Sequence, residues 1–250
     1  MPVLDLTPFH WTLAAISALC IGIAKSGFSG IGLVSIMLMA RVFPPRESTG
    51  IVLPLLIFGD FLAICMFRRQ ANWAHIRRTL PIAMVGVVVG ALLMRSLDDF
   101  AFNHIVGGVV LGMIALQCVS RIWPSVFEPC LQTPAFAWFM GSSSGVATMV
   151  ANAAGPVMTL YLLAVGLPKL EIVSTGAYFF LAINVFKLPF SWWLDLLHGG
   201  SLLLDLLLMP AVVIGLITGH RLVALIPQRP FEVLLLVLNA AFAMHFLGLL

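Results

Sequence analysis

Six stretches of this 250-residue chain, near residues 48–67, 79–96, 102–120, 171–193, 201–221 and 231–250, are apolar runs close to the length that crosses a bilayer. Leu, Val, Ile, Ala, Met and Phe follow one another in them without the alternation of a half-buried strand, so the runs read as helices and not as a membrane β-barrel. Charged residues make up 9% of the chain and hydrophobic ones 61%, where a soluble domain carries about 25% charged. A soluble globule is thereby excluded, and lipid is the main solvent. The 13 Lys and Arg against 10 Asp and Glu give a net charge of +3, too small and dispersed for a nucleic-acid partner.

Two further apolar regions, roughly 10–42 and 134–166, are broken midway. Lys25-Ser26-Gly27-Phe28-Ser29-Gly30-Ile31-Gly32 interrupts the first, and Val150-Ala151-Asn152-Ala153-Ala154-Gly155-Pro156 the second. A flank of about 14 helical residues extends only ~21 Å, less than a ~30 Å hydrocarbon core. Each region is therefore either a re-entrant hairpin of two half-helices or a pair of tilted crossings meeting at a broken turn.

The chain also repeats. At an offset of 129, Pro81 matches Pro210, Gly86 matches Gly215, Gly90 matches Gly219 and Phe102 matches Phe231; at 124, Glu47 matches Glu171 and Asp60 matches Asn184. Both halves run broken segment, then three helices, with the boundary between Arg121 and Pro134. The expected fold is an all-α polytopic membrane protein forming a single transport domain over residues 1–250. It has two inverted repeats, 1–121 and 134–250, each a broken or re-entrant helical hairpin plus three transmembrane helices, about eight to ten membrane segments in all.

Charge placement gives the orientation. Arg68, Arg69, Arg77 and Arg78 crowd the loop 68–78, whereas its counterpart 194–200 has Asp195 and no Lys or Arg. By the positive-inside rule the first is cytoplasmic and the second external, which inverts the halves and leaves both termini outside. Arg41 and Arg46 fall on the outer side and run against this scheme. Met1 to His10 carries Asp5 and no basic residue, which does not fit a cleavable signal peptide. Trp73, Trp192 and Trp193 read as interface anchors.

Inverted repeats with discontinuous helices place a transporter's substrate site at the breaks, where half-helix amino termini favour an anion and glycines let it approach the backbone. The first break adds Lys25, flanked by Ser26, Gly27 and Gly30. A charge at this depth costs at least ~2.5–3.5 kcal/mol, so Lys25 either offsets a bound anion or pairs internally or snorkels. The second supplies Ser142, Ser143, Ser144, Thr148 and Asn152 before Gly155 and Pro156. Pro156 suits a first helical turn and predicts a helix starting near Gly155. The hydroxyls and amide either bind an oxyanion or serve as packing between helices. Asp60, Asn184 and Lys187 form a second group with a coupling or supporting role: Asp60 either carries a proton or pairs with Lys25 or Lys187, and Lys187 shares a helical face with Asn184. Asp205, near a helix end, reads as interfacial. The cysteines Cys20, Cys65, Cys118 and Cys130 have no CxxC pairing, and those in apolar segments read as packing residues. HExxH, Walker A and paired Cys/His patterns are missing, and no enzyme, cofactor or metal site is expected.

At these breaks the sequence resembles the sulfite exporter TauE/SafE family of bacterial membrane permeases. The resemblance rests on Gly22 through Gly32, Gly141 to Gly145, Ala151 through Pro156, Tyr161-Leu162, Gly166 to Lys169, Phe179-Phe180 through Asn184, and Lys187-Leu188-Pro189. It implies a permease or exporter of sulfite, thiosulfate, sulfonates or other small organic anions in a bacterial inner membrane. Its motifs carry roles onto Lys25, Gly27, Gly30, Asn152, Gly155 and Pro156. The expected function is secondary transport of such an anion by alternating access. A channel or transporter for a cation or neutral solute centred on Asp60, and a membrane assembly or sensor subunit, are the rivals. The expected partners are the small anion and the lipid bilayer; the apolar outer faces allow a homodimer.

Overall fold

A computed structural model of the chain describes residues 6–67, 71–96, 133–197 and 199–227, with positions 230, 233 and 237. The expected span 102–120, the span 231–250 apart from positions 233 and 237, most of the boundary between the halves, and Cys118 and Cys130 lie outside the described residues. Within them the chain is all-helical.

The first apolar region folds as α1 (Pro8–Lys25) and α2 (Ser29–Val42), and the second as α6 (Pro134–Ala151) and α7 (Ala154–Ala164). Helices α1 and α6 begin alike: Thr7 and Thr133 accept from the backbone N–H groups of His10 and Phe136, and Pro8 and Pro134 fill the first turn, where a missing N–H costs nothing. Both run 18 residues, ~27 Å of rise. They are a turn longer than the flanks expected from sequence, because the helix continues through Gly22 and through Ser142–Gly145. The returning arms are shorter, with 14 residues in α2 and 11 in α7.

Helices α3 (Pro45–Ile51) and α4 (Leu53–Phe67) form one segment with a kink at Val52; α5 (Trp73–Ser96), α8 (Lys169–Trp193) and α9 (Gly199–Leu225) complete the described structure. Among the described residues five segments are long and apolar enough to cross a membrane: α1, residues 46–67, α5, α8 and residues 201–225. Helix α5 starts six residues before the expected span, carrying Arg77 and Arg78 on its first turns. Val85, Val88, Val89 and Leu92 on α5 and Leu202, Leu206, Ile214 and Ile217 on α9 remain exposed, the lipid-facing surface expected of such a chain.

Packing fixes the direction of each element. Gly22 of α1 lies so close to Val212, Gly215 and Leu216 of α9 that a Cβ there would strike backbone, and Gly219 is notched against Ser26. On the other side, Gly145 of α6 is notched against Ala83 and Gly86 of α5, and Gly141 against Thr79. Such close approach of small residues is how membrane helices gain dispersion contacts without a hydrophobic driving force. In both pairs residue numbers rise together, so α1 runs parallel to α9 and α6 parallel to α5.

The helix ends sort into two groups. At one, the Arg46 guanidinium donates to the Met94 carbonyl at the end of α5, and Arg95 lies 4.6 Å from the Trp193 ring at the end of α8. At the other, Ser174 donates to Phe67 O at 2.7 Å and Lys169 caps α9 through Val223 O and Ile226 O at 3.0 and 2.6 Å. Arg46, an exception to the sequence-based orientation, is thus held by the carbonyl end of a helix, where a cation is favoured whatever the side of the membrane. Asp205, near the start of α9, is 1% exposed; its neighbours Leu204 and Leu208 share a buried cluster with the α1 residues Ala14 and Ala18. Cys20 is buried as expected, whereas Cys65 is exposed on α4.

Candidate functional site

Helix α1 stops at Lys25 because Gly27 takes φ +119°, a backbone conformation open to glycine. Helix α6 stops at Asn152, which takes the left-handed conformation at φ 54°, ψ 23°; Asn tolerates that region better than most side chains. The chain turns back at once in both cases. The start of α7 comes against the start of α2, with a Cβ on Gly155 falling 3.3 Å from the Ser29 Cβ, and Thr159 Oγ1 donates to Ser29 Oγ at 2.9 Å. Neither helix start carries a side-chain cap.

Between the two breaks lies a cavity of about 90 Å³, lined by Lys25, Gly27, Ser29, Asp60, Thr148, Asn152, Gly155, Pro156, Thr159 and Asn184, with Ile36, Leu56, Met158 and Phe180 among its apolar walls. A single water needs roughly 10–15 Å³ on this measure, so the space accommodates a small polyatomic ion with a few waters.

Two cations meet here and are held differently. Lys25 Nζ lies 2.7 Å from Asp60 Oδ1 and 5.1 Å from the centroid of the Phe180 ring; its side chain retains 11% exposure. Gly59 makes room for it, since a Cβ there would lie 3.1 Å from Lys25 Cγ. Asp60, wholly buried, also accepts from Asn184 Nδ2 at 2.8 Å through Oδ2. Lys187, 1% exposed, has no carboxylate on it. It donates to Thr148 O at 2.7 Å, Thr148 Oγ1 at 3.3 Å and Asn152 Oδ1 at 2.5 Å. Its three N–H donors are thus spent on the carbonyl end of α6, where the helix dipole favours a cation. Asn152 in turn donates Nδ2 to Thr49 O at 2.9 Å, tying the second break to α3.

The structure therefore brings Lys25, Gly27, Asn152, Gly155, Pro156, Asp60 and Asn184 around one cavity, with Lys187 one residue behind it. Other candidates from the sequence lie elsewhere. Ser26 is buried with its hydroxyl on Ile23 O at 2.6 Å, and Gly30 is buried inside α2. Ser142 donates to Phe139 O at 3.0 Å and its carbonyl lies against Gly86 of α5; Ser143 and Ser144 follow it in α6, and none of the three lines the cavity. Ser29, Thr159, Gly176 and Phe180 were not singled out as site residues. Helical spacing holds the signal for them: Thr159 follows Gly155 by four, and Gly176, Phe180 and Asn184 form one stripe of α8 at intervals of four, as Val52, Leu56 and Asp60 do along the kinked α3–α4 segment.

Among the described residues no group of His, Cys, Asp and Glu is arranged to hold a metal. No curated protein and no solved structure matches the chain. Residues 14–246 match the model of the sulfite exporter TauE/SafE family, in agreement with the membrane-spanning helices, and the chain belongs to that family of membrane transporters.

Proposed function

We propose that the chain is a secondary transporter of a bacterial inner membrane that moves a small anion of the sulfite, thiosulfate or organosulfonate class by alternating access. The observation that carries this reading is the single cavity onto which the Lys25 ammonium and the uncapped first turns of α2 and α7 all open. Two helix starts without a side-chain cap and a cation in a largely apolar cavity favour negative charge more strongly than they would in water. Ser29 and Thr148, whose hydroxyl oxygens accept from Thr159 and Lys187, add O–H donors suited to oxyanion oxygens. A cation site on Asp60 is disfavoured because both carboxylate oxygens already face donors, Lys25 and Asn184.

Alternating access rests on two inverted repeats, and the packing supports them. The repeat-matched glycines Gly86 and Gly215 occupy corresponding notches, against Gly145 of α6 and Leu19 and Ile23 of α1. Each half thus lends its first helix to the last described helix of the other, and α5 and α9 run in opposite directions. Asp60 and its repeat partner Asn184 touch each other, as residues near a pseudo-two-fold axis do. The test is flux: purified protein in proteoliposomes is expected to take up sulfite, thiosulfate or methanesulfonate saturably and to ignore alkali cations. Uptake of none of these anions above that of empty liposomes would refute the reading.

A further inference from the structure

We infer that Asp60 is a proton-binding residue that exchanges places with the transported anion on Lys25, so that one proton is taken up for each anion bound. The inference rests on the anion site proposed above and concerns how charge is balanced there.

Lys187 cannot serve an incoming anion without leaving its three acceptors on Thr148 and Asn152. Lys25 can, because it faces the cavity and has Asp60 as its ion-pair partner. An anion reaching the Lys25 ammonium therefore competes directly with the Asp60 carboxylate. If the anion wins, two negative charges share one enclosure beside one accessible cation. Like charges at such distances are strongly unfavourable in a low dielectric, and a proton on one of them relieves the conflict. A strong-acid anion such as a sulfonate does not take the proton; Asp60 does, from cavity water. Before exchange the pair is Lys25 ammonium with Asp60 carboxylate; afterwards it is Lys25 ammonium with the anion, beside a neutral Asp60 carboxylic acid. The net charge of the site is the same in both states.

Asn184 supplies the second observation. Its Nδ2 donates to Asp60 Oδ2, while its Oδ1 is buried with no donor. An ionised carboxylate needs a donor from this amide, and a protonated one needs an acceptor. Rotation of the amide by half a turn offers the idle Oδ1 to an Asp60 O–H. A side chain with donor and acceptor at the same reach serves both protonation states, and a buried orphan acceptor is otherwise a cost.

Other titratable groups face Asp60 from the elements packed around it. Helix α1 contributes Lys25, and α8 contributes Lys187, one turn beyond Asn184. Helix α9 presents Val212 beside Gly59, with Asp205 and His220 about two turns to either side; Arg46 and Glu47 of α3 lie far back along the chain, with Arg46 on Met94 O.

The test uses methanesulfonate, whose charge is constant with pH, on detergent-purified protein. In weakly buffered solution with a pH indicator, wild type is expected to take up about one proton per anion bound, and its affinity to rise about tenfold per unit fall in pH. Asp60→Asn is expected to bind methanesulfonate with no proton uptake and a flat pH profile. Binding to wild type without proton uptake, or uptake retained in Asp60→Asn, overturns the inference while leaving the anion site intact. Should Asp60→Asn fail to fold, Asp60→Glu replaces it: the one-proton uptake is expected to persist with its pH dependence displaced, and uptake identical to wild type in amount and pH dependence overturns the inference. If thermal shift shows no methanesulfonate, sulfite or thiosulfate binding to wild type, the anion site itself falls and this inference with it.

Discussion

The two breaks solve the same problem with different chemistry. Each ends an 18-residue helix inside the protein and sends the chain back. At the first, the turn is made by Gly27, and the cation is the helix's own last residue, Lys25, which reaches past its carbonyl end to a carboxylate on another helix. At the second, the turn is made by Asn152, and the cation is brought from α8 and spent on the carbonyl end itself. The lesson is that a buried lysine can be structural or available, and its partners tell which. Lys187 has three neutral acceptors and little exposure; Lys25 has one acid, an aromatic face and an open cavity.

The largest expected effect probes what the breaks share. Leu at Gly22 or at Gly145 would drive a side chain into backbone of the partner helix, so both variants are expected to lose the folded state, read as loss of a cooperative thermal transition. Tolerance of one but not the other would break the equivalence of the two helix pairs. Next comes Lys187→Ala, which strips a carbonyl and an amide oxygen of their donor; we expect a loss of about 2–4 kcal/mol in unfolding free energy, and weaker order at the second break. A negligible change would mean that Lys187 is not what holds the end of α6. Smaller still is Gly27→Ala, expected to cost about 1–3 kcal/mol through backbone strain alone, measured in the same denaturation assay. Asn152→Gly separates the terms at the other turn: it relieves the backbone but removes the bonds to Thr49 and Lys187, and should destabilise by about 1–2 kcal/mol. Stabilisation would show that the side chain is dispensable.

Much of this was legible from sequence because membranes make charge and helix breaks expensive. Lys25 within an apolar run needed a partner, and Asp60 was an acid within another apolar run. Gly27 marked the first turn, and Gly155-Pro156 marked the start of α7, which fell within a residue of its expected position. The partner of Lys187 was not legible, because a backbone carbonyl at a helix end leaves no residue-type signature. Ser142–Ser144 looked like a polar site because the sequence shows hydroxyls but not faces. The small-residue spacing Gly141 to Gly145, matched by Gly86 to Gly90, was the signal that this stretch packs against another helix. Asp205 shows the same limit: its distance from a helix end is visible in sequence, but its burial is not.

The account turns on Lys25 being available to an anion while Lys187 is not. The most direct measurement is methanesulfonate and sulfite flux in proteoliposomes containing Lys25→Ala/Asp60→Asn, a double variant that leaves no orphaned buried acid. The account predicts a folded protein whose flux falls to that of empty liposomes; flux at the wild-type rate would contradict it.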